Sequence, residues 1–202
     1  LQKALSHDVE DSFNMISVDG DTSTNDMVSV MASGLAGNKK ITGDGEDYSA
    51  FCEALGAVTK NLCRKIAKDG EGATKLITCS VSGAKDKPTA KIVAKSVISS
   101  SLFKAAMFGA DANWGRVLCA VGYSGADVDV NKIDVSISSE NGSVEVCAAG
   151  SGVDFSEEKA KKVLSSDEVT VAINLNSGDF EATAWGCDLT YDYVKINGDY
   201  RT

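Results

Sequence analysis

Apolar positions recur along the first half of the chain mostly at steps of three and four, the spacing of one helix face. Leu1, Leu5, Val9 and Phe13 keep that step, so the chain opens inside a helix. No capping residue precedes Leu1, which predicts a missing segment upstream. NDMVSVMASGLAG reads as a short helix, with Thr24 or Asn25 at its N-cap and Gly34 or Gly37 ending it. The clearest helix covers residues 47–68, where Phe51, Leu55, Val58, Leu62 and Ile66 trace one face and Asp69-Gly70 stops it. A buried strand over residues 76–81 follows, then a turn at 83–87. Pro88 suits the first turn of a further helix through Ile92, Val93, Val97, Leu102 and Phe103. That run ends at Phe108-Gly109, ahead of a loop over 110–115 and a strand over 116–121.

Thereafter strand patterns dominate: IDVSIS, SVEVCAA, VTVAINL and FEATAWGCDLTYDYVKI. Asn176-Ser177-Gly178-Asp179 reads as a hairpin turn joining the last two. Ser156, with Glu157 and Glu158 behind it, opens the one helix among them. No repeat or linker interrupts residues 1–202, so the pattern predicts a single α/β unit with long antiparallel strands packed under helices.

Composition narrows the function classes. The chain has 202 residues, 29 acidic against 20 basic, and a formal charge of −9, which argues against nucleic acid or an anionic membrane as partner. No apolar run reaches the roughly 20 residues a bilayer requires. Six cysteines form no CxxC pair, and His7, expected on a helix surface, is the only histidine, so no zinc site is expected. Each cysteine sits within an apolar pattern, which predicts reduced, structural thiols and a cytoplasmic compartment.

Four stretches could carry chemistry. DGDTSTND, residues 19–26, has the carboxylates of a calcium loop, yet its glycine is misplaced and Val30 stands where the closing glutamate belongs. Its simpler reading is a turn bonding its own backbone. In GEGATK, Glu71 is bracketed by Gly70 and Gly72 at a helix–strand junction; one glycine would stop the helix, and a second implies close approach to this backbone. Trp114 and Arg116 of GADANWGR read as a core or interface anchor and a carboxylate clamp, with Asn113 on the same loop. The tail YVKINGDYRT reads as a frayed end. One histidine permits no Ser–His–Asp set, and no Cys–His pair is favoured by spacing.

SFNMISVDGDTSTND, DGEGATKL, LFKAAMFGADANWGRVLCAVG and DLTYDYVKINGDYRT together resemble the β subunit of the arginine-biosynthetic ornithine (glutamate N-) acetyltransferases, from about Asp11 to the last residue. Met15 stands where that family has arginine, and Ala112 where it has proline. The resemblance implies a layered αββα-type sandwich of largely antiparallel sheets covered by helices. It also implies a precursor that cuts itself before a threonine, which becomes the N-terminal nucleophile of the β chain. That threonine carries the acetyl group from N-acetylornithine to glutamate, with its own amine or a water as base, and needs neither cofactor nor metal. The partner implied is the α chain of the same precursor in an α2β2 heterotetramer, which supplies the oxyanion-hole donors and a substrate lysine.

By family spacing the nucleophile lies upstream of Leu1, so no catalytic residue is expected in this chain. What carries over is substrate binding: Glu71, Asn197 and Thr202 match family residues that contact the amino acid. The glycines around Glu71 are then expected to admit ligand and partner. Acetyl-CoA as a second donor is left open, as are two alternatives, a self-processing N-terminal-nucleophile aminopeptidase and a non-catalytic subunit fragment.

Overall fold

The computed structural model describes residues 1–200 of the chain. It opens with α1 (Gln2–Asp8) and β1 (Ile16–Ser17), then runs without helix or strand through residues 18–45 to α2 (Glu46–Lys68). Next come β2 (Leu76–Ala84), α3 (Lys87–Ser99), α4 (Ser101–Phe108) and α5 (Trp114–Gly122), then β3 (Asp134–Ser139), β4 (Gly142–Ala148) and β5 (Ser151–Gly152). α6 (Glu157–Leu164), β6 (Glu168–Asn174), β7 (Phe180–Cys187) and α7 (Tyr191–Asp199) close it.

The seven strands form one mixed sheet in the order β1-β7-β2-β6-β3-β4-β5. β1 runs parallel to β7 and β2 parallel to β6, and the other neighbours are antiparallel. The α/β class agrees with expectation. The second sheet of the expected sandwich is not supplied by residues 1–200.

β2 and β6 carry the core because both are flanked on either side, and Ile77, Cys79, Val81, Val171 and Ile173 are buried there. α3 covers one face of the sheet through Ala90, Val93, Ala94, Val97 and Ile98, spaced at three and four as a buried helix stripe requires. Its start follows from sequence: Asp86 accepts from the Thr89 amide (2.8 Å) and Pro88 occupies the first turn. Gly186 lets α3 settle onto β7, since a Cβ there would lie 2.4 Å from Ile98 Cγ2.

Four local expectations are corrected. Residues 25–37 form no helix; Met27, Met31 and Leu35 are exposed, and so short a helix is marginal without a packed face. Residues 116–121 lie in α5 and not in a strand. Asn113 caps that helix by accepting from the Arg116 amide (3.2 Å), and the short apolar run buries Val117, Ala120 and Val121 at helical spacing. β6 and β7 do not pair as a hairpin, because β2 lies between them. The connecting residues 176–179 instead cross the end of β2, where Gly178 leaves so little room that a Cβ would sit 2.3 Å from the Ala84 carbonyl oxygen. Finally, the last strand stops at Cys187 and Tyr191–Asp199 are helical.

None of the six cysteines is bonded to another. Burial pushes the Cys79 thiol up to about 12, as suits an inert core residue. Cys119 is exposed, unlike the buried thiol expected there. His7 lies exposed on α1, as its position predicts. Among the described residues no helix is long and apolar enough to cross a membrane.

Candidate functional site

The loop between α2 and β2 is shaped from outside itself. α2 ends where the Asp69 amide bonds the Lys65 carbonyl (3.0 Å), and Gly70 follows in a space closed by β7. A Cβ on Gly70 would lie 2.7 Å from Cys187 Sγ. Gly72 adopts φ +66°, the left-handed region, and a Cβ there would come within 2.8 Å of Asp192 Cβ and 2.9 Å of the Tyr193 nitrogen. The two glycines around Glu71 are therefore required by this chain's own β7 and α7. This corrects the expectation that they make room for ligand and partner.

Two residues after β7 lock the loop. The buried carboxylate of Asp188 accepts from the Thr74 amide (2.8 Å), the Thr74 hydroxyl (2.5 Å) and the Lys75 amide (2.9 Å). Thr190 donates its hydroxyl to the Gly72 carbonyl (2.7 Å) and accepts from the Tyr193 amide (3.3 Å), so one side chain ties the loop and caps α7. Phe108 packs edge-on against Tyr191 at 5.5 Å, joining the end of α4 to the start of α7. Below them Lys75 Nζ donates to the Met107 carbonyl (2.6 Å). Burial lowers the Lys75 pKa from its ordinary value, while Asp188 opposes that change.

α7 then returns over the loop. Asn197 Nδ2 donates to Glu71 Oε2 (2.5 Å) and to the Tyr193 carbonyl (3.1 Å). Glu71 and Asn197, singled out separately in sequence, thus meet although they are 126 residues apart. Both are exposed, so they form an open half-site with solvent on its outer side. Thr202, the third expected contact, lies outside the described residues.

Tyr193 adds Asp19 to this surface by donating its hydroxyl to Asp19 Oδ2 (2.9 Å). Desolvation, then the Asp19 bond and the charges of Asp19, Glu71 and Asp21, push the Tyr193 phenol up to about 12. So many carboxylates on one surface suit a cationic ligand group. The sequence did not single out Asp188, Thr190 or Tyr193, and it placed Asp19 only in a possible calcium loop or self-bonded turn. Only the first pair left a trace, as an Asp-Leu-Thr stop after a strand with Asp192 in the first turn of the next helix.

Two predictions arise here. Gly72→Ala is expected to cost roughly 1–3 kcal/mol, through left-handed strain and collision with α7, and to loosen Asn197 from Glu71. Chemical denaturation and amide exchange of α7 check it; an unchanged midpoint would show that α7 yields freely. For Tyr193, the folded pKa lies above the unfolded one, so the neutral phenol contributes stability in full below about pH 10, lost as pH rises to about 12. Ultraviolet titration of the five tyrosines is expected to show one group ionising near pH 12 that is absent in Tyr193→Phe.

The other sequence candidates resolve structurally. Asp19 Oδ1 accepts from the Asp21 amide (2.9 Å), and Ser23 Oγ from the Asn25 (3.4 Å) and Asp26 (3.3 Å) amides, as the turn reading requires. Arg116 donates to the Leu102 carbonyl (2.8 Å), and Trp114 packs so closely on Gly152 that a Cβ there would lie 2.6 Å from its ring. Met15 and Ala112, where the sequence departs from the family pattern, are buried away from solvent. A cavity of about 770 Å³ lies elsewhere, under residues 32–51, with its one carboxylate, Asp44, paired to Lys3 (2.7 Å). Charged and hydrogen-bonding groups converge instead around Glu71.

The sequence pattern of the ArgJ family matches residues 1–202. The chain is 57% identical over all 202 residues to the arginine biosynthesis bifunctional protein ArgJ 1 of Clostridium acetobutylicum, covering 50% of that protein. It is 54% identical to the ArgJ protein of Caldanaerobacter subterraneus subsp. tengcongensis, again covering all of this chain and 50% of that protein. The chain thus spans about half the length of the curated relatives it matches. A crystal structure of the ArgJ protein from Bacillus halodurans is 48% identical, with a TM-score of 0.93 over 98% of this chain and 92% of that one.

Proposed function

The chain belongs to the ArgJ family, and from that premise we propose that it is part of the β chain of a self-cleaved acetyltransferase and forms a single unit. The reaction moves an acetyl group from N-acetylornithine to glutamate. A threonine upstream of Leu1 attacks the acetyl carbonyl, the amide C–N bond breaks, and ornithine leaves with the proton on its amine. The amine of glutamate then attacks the acetyl ester, the C–O bond breaks, and the threonine hydroxyl is restored. Family membership favours this over peptide hydrolysis.

The observation that carries the reading is the Glu71–Asn197 contact at 2.5 Å. Glu71 supplies a charge-assisted acceptor for a cationic amine, and Asn197 holds that carboxylate while offering its amide oxygen. The family resemblance adds Thr202 as a third substrate contact. An exposed carboxylate holds an ammonium weakly in water, so productive binding calls for a second wall that excludes solvent. The half-length match supports the other half of the precursor as that wall, the two together forming an α2β2 heterotetramer. The site has no need of a resident metal or cofactor, and the compartment we assign is the cytoplasm.

The test is an assay of the full-length, processed protein with N-acetylornithine and glutamate, with threonine sought at the mature β N-terminus. Formation of N-acetylglutamate with an acetyl-threonine adduct is expected; peptide cleavage without transfer, or no acyl adduct, would overturn the reading. The relatives are named bifunctional, and acetyl-CoA as sole donor in the same assay decides whether this enzyme uses it too.

A further inference from the structure

β7 is paired along one side only. β2 follows it from Phe180 to Cys187, whereas β1 covers only Trp185 and Gly186 on the other side. Among the described residues, positions 180–184 have no strand on their outer edge. An edge of that length leaves a row of unmatched amides and carbonyls, which proteins blunt with proline, charges or bulges on the strand itself. Here the outer segment, Phe180-Glu181-Ala182-Thr183-Ala184, has no proline and one charge. Its one register shift falls opposite β2, between Val81 and Ala84. At the opposite edge of the sheet β5 covers Cys147 and Ala148 of β4, and the Val153 amide bonds the Val146 carbonyl (3.3 Å).

Alongside this edge runs a groove of about 240 Å³, lined by Met15, Trp185 and Thr183 and flanked by Lys60, Lys87 and Lys91. Met15 and Trp185 give it an apolar floor. Asp11 answers Lys87 and Lys91, and Lys60 has no carboxylate partner among the described residues. A second copy of this chain fits poorly, since two such edges would bring two lysine groups side by side. About half of each full-length relative lies outside the matching stretch.

We infer that β7 is an inner strand of the full-length protein: its open edge at residues 180–184 receives an extended strand from the part of that protein outside these 202 residues. Five residues span about 17 Å, room for one short strand in line with β1. The incoming segment is apolar toward Met15 and Trp185 and neutral or acidic toward Lys60. Backbone pairing supplies affinity and the groove supplies register, as in strand addition generally. The inference rests on the half-length reading above and is independent of the acetyl-transfer chemistry.

Two measurements on the processed full-length protein test it. Site-resolved amide exchange should find all of the amides of 181–184 slowed on the order of 100-fold or more. Alternate amides exchanging as if free in water would overturn the inference. Replacing Glu181 with the photoreactive benzoylphenylalanine should give a cross-link to a peptide from outside the 202 residues. A cross-link to a second copy of this chain, or none at all, would overturn it, whatever the transfer assay returns.

Discussion

Glu71→Gln is expected to lower kcat/KM for N-acetylornithine by about 10- to 100-fold in the processed enzyme. A hydrogen bond to a charged group contributes about 1.5–3 kcal/mol, and each 1.4 kcal/mol is tenfold. The glutamine keeps the shape and an acceptor for Asn197, so only the charge facing the amine is lost. Glu71 lies exposed on a loop, so unfolding temperature is expected to stay within a degree or two. Steady-state kinetics read the effect: a rise in KM larger than the fall in kcat identifies binding, and an unchanged kcat/KM would remove Glu71 from the pocket. Glu71→Ala is expected to be more severe, because Asn197 then loses its partner at 2.5 Å.

The second large effect belongs to Asp188, which touches no substrate in this reading. Asp188→Ala strands two backbone amides and one hydroxyl that now bond a single buried carboxylate. Each orphaned donor costs about 1–3 kcal/mol, less than additively, so a loss of about 3–5 kcal/mol is expected. For a chain of this size that corresponds to a fall in Tm of about 10 °C. Calorimetry of the processed protein checks it. Asp188→Asn, which can still accept two of the three bonds, should recover part of the loss. A mutant with native Tm would show that Thr74 and Lys75 find other acceptors. Because Asp188 sets the loop that presents Glu71, the alanine variant should also raise KM, and its effect should not add fully to that of Glu71→Gln.

Much of the local structure was legible in sequence. The 47–68 helix was expected within one residue of its observed start at Glu46, but the face it buries carries Thr59, Cys63 and Ala67, whereas Val58, Leu62 and Ile66 of the expected face are exposed. Ser156 accepts from the Lys159 amide as its capping pattern predicts. The failures share a cause. Residues 116–121 and 191–199 are short and apolar or aromatic, equally good as strand or helix until capping and packing choose. The turn at 176–179 has hairpin residues, yet β2 intervenes, and strand order depends on segments a hundred residues away. Around Glu71, the glycines announced a close approach but not its source. That source is Cys187, Asp192 and Tyr193, in the last sixteen residues of the chain.

By itself, then, the sequence determined those features whose energetics are local: the extent and stop of the long helix, the Ser156 cap, alternating strands and the motifs by which the family resemblance is read. Only the tertiary structure decided that Glu71 and Asn197 share one hydrogen bond, that Asp188 and Thr190 hold the loop between them, and that β7 has one edge to spare. These depend on which surfaces pack together after long stretches of chain close on one another. No window of neighbouring residues contains that information, because burial and backbone pairing are satisfied between segments and not within them.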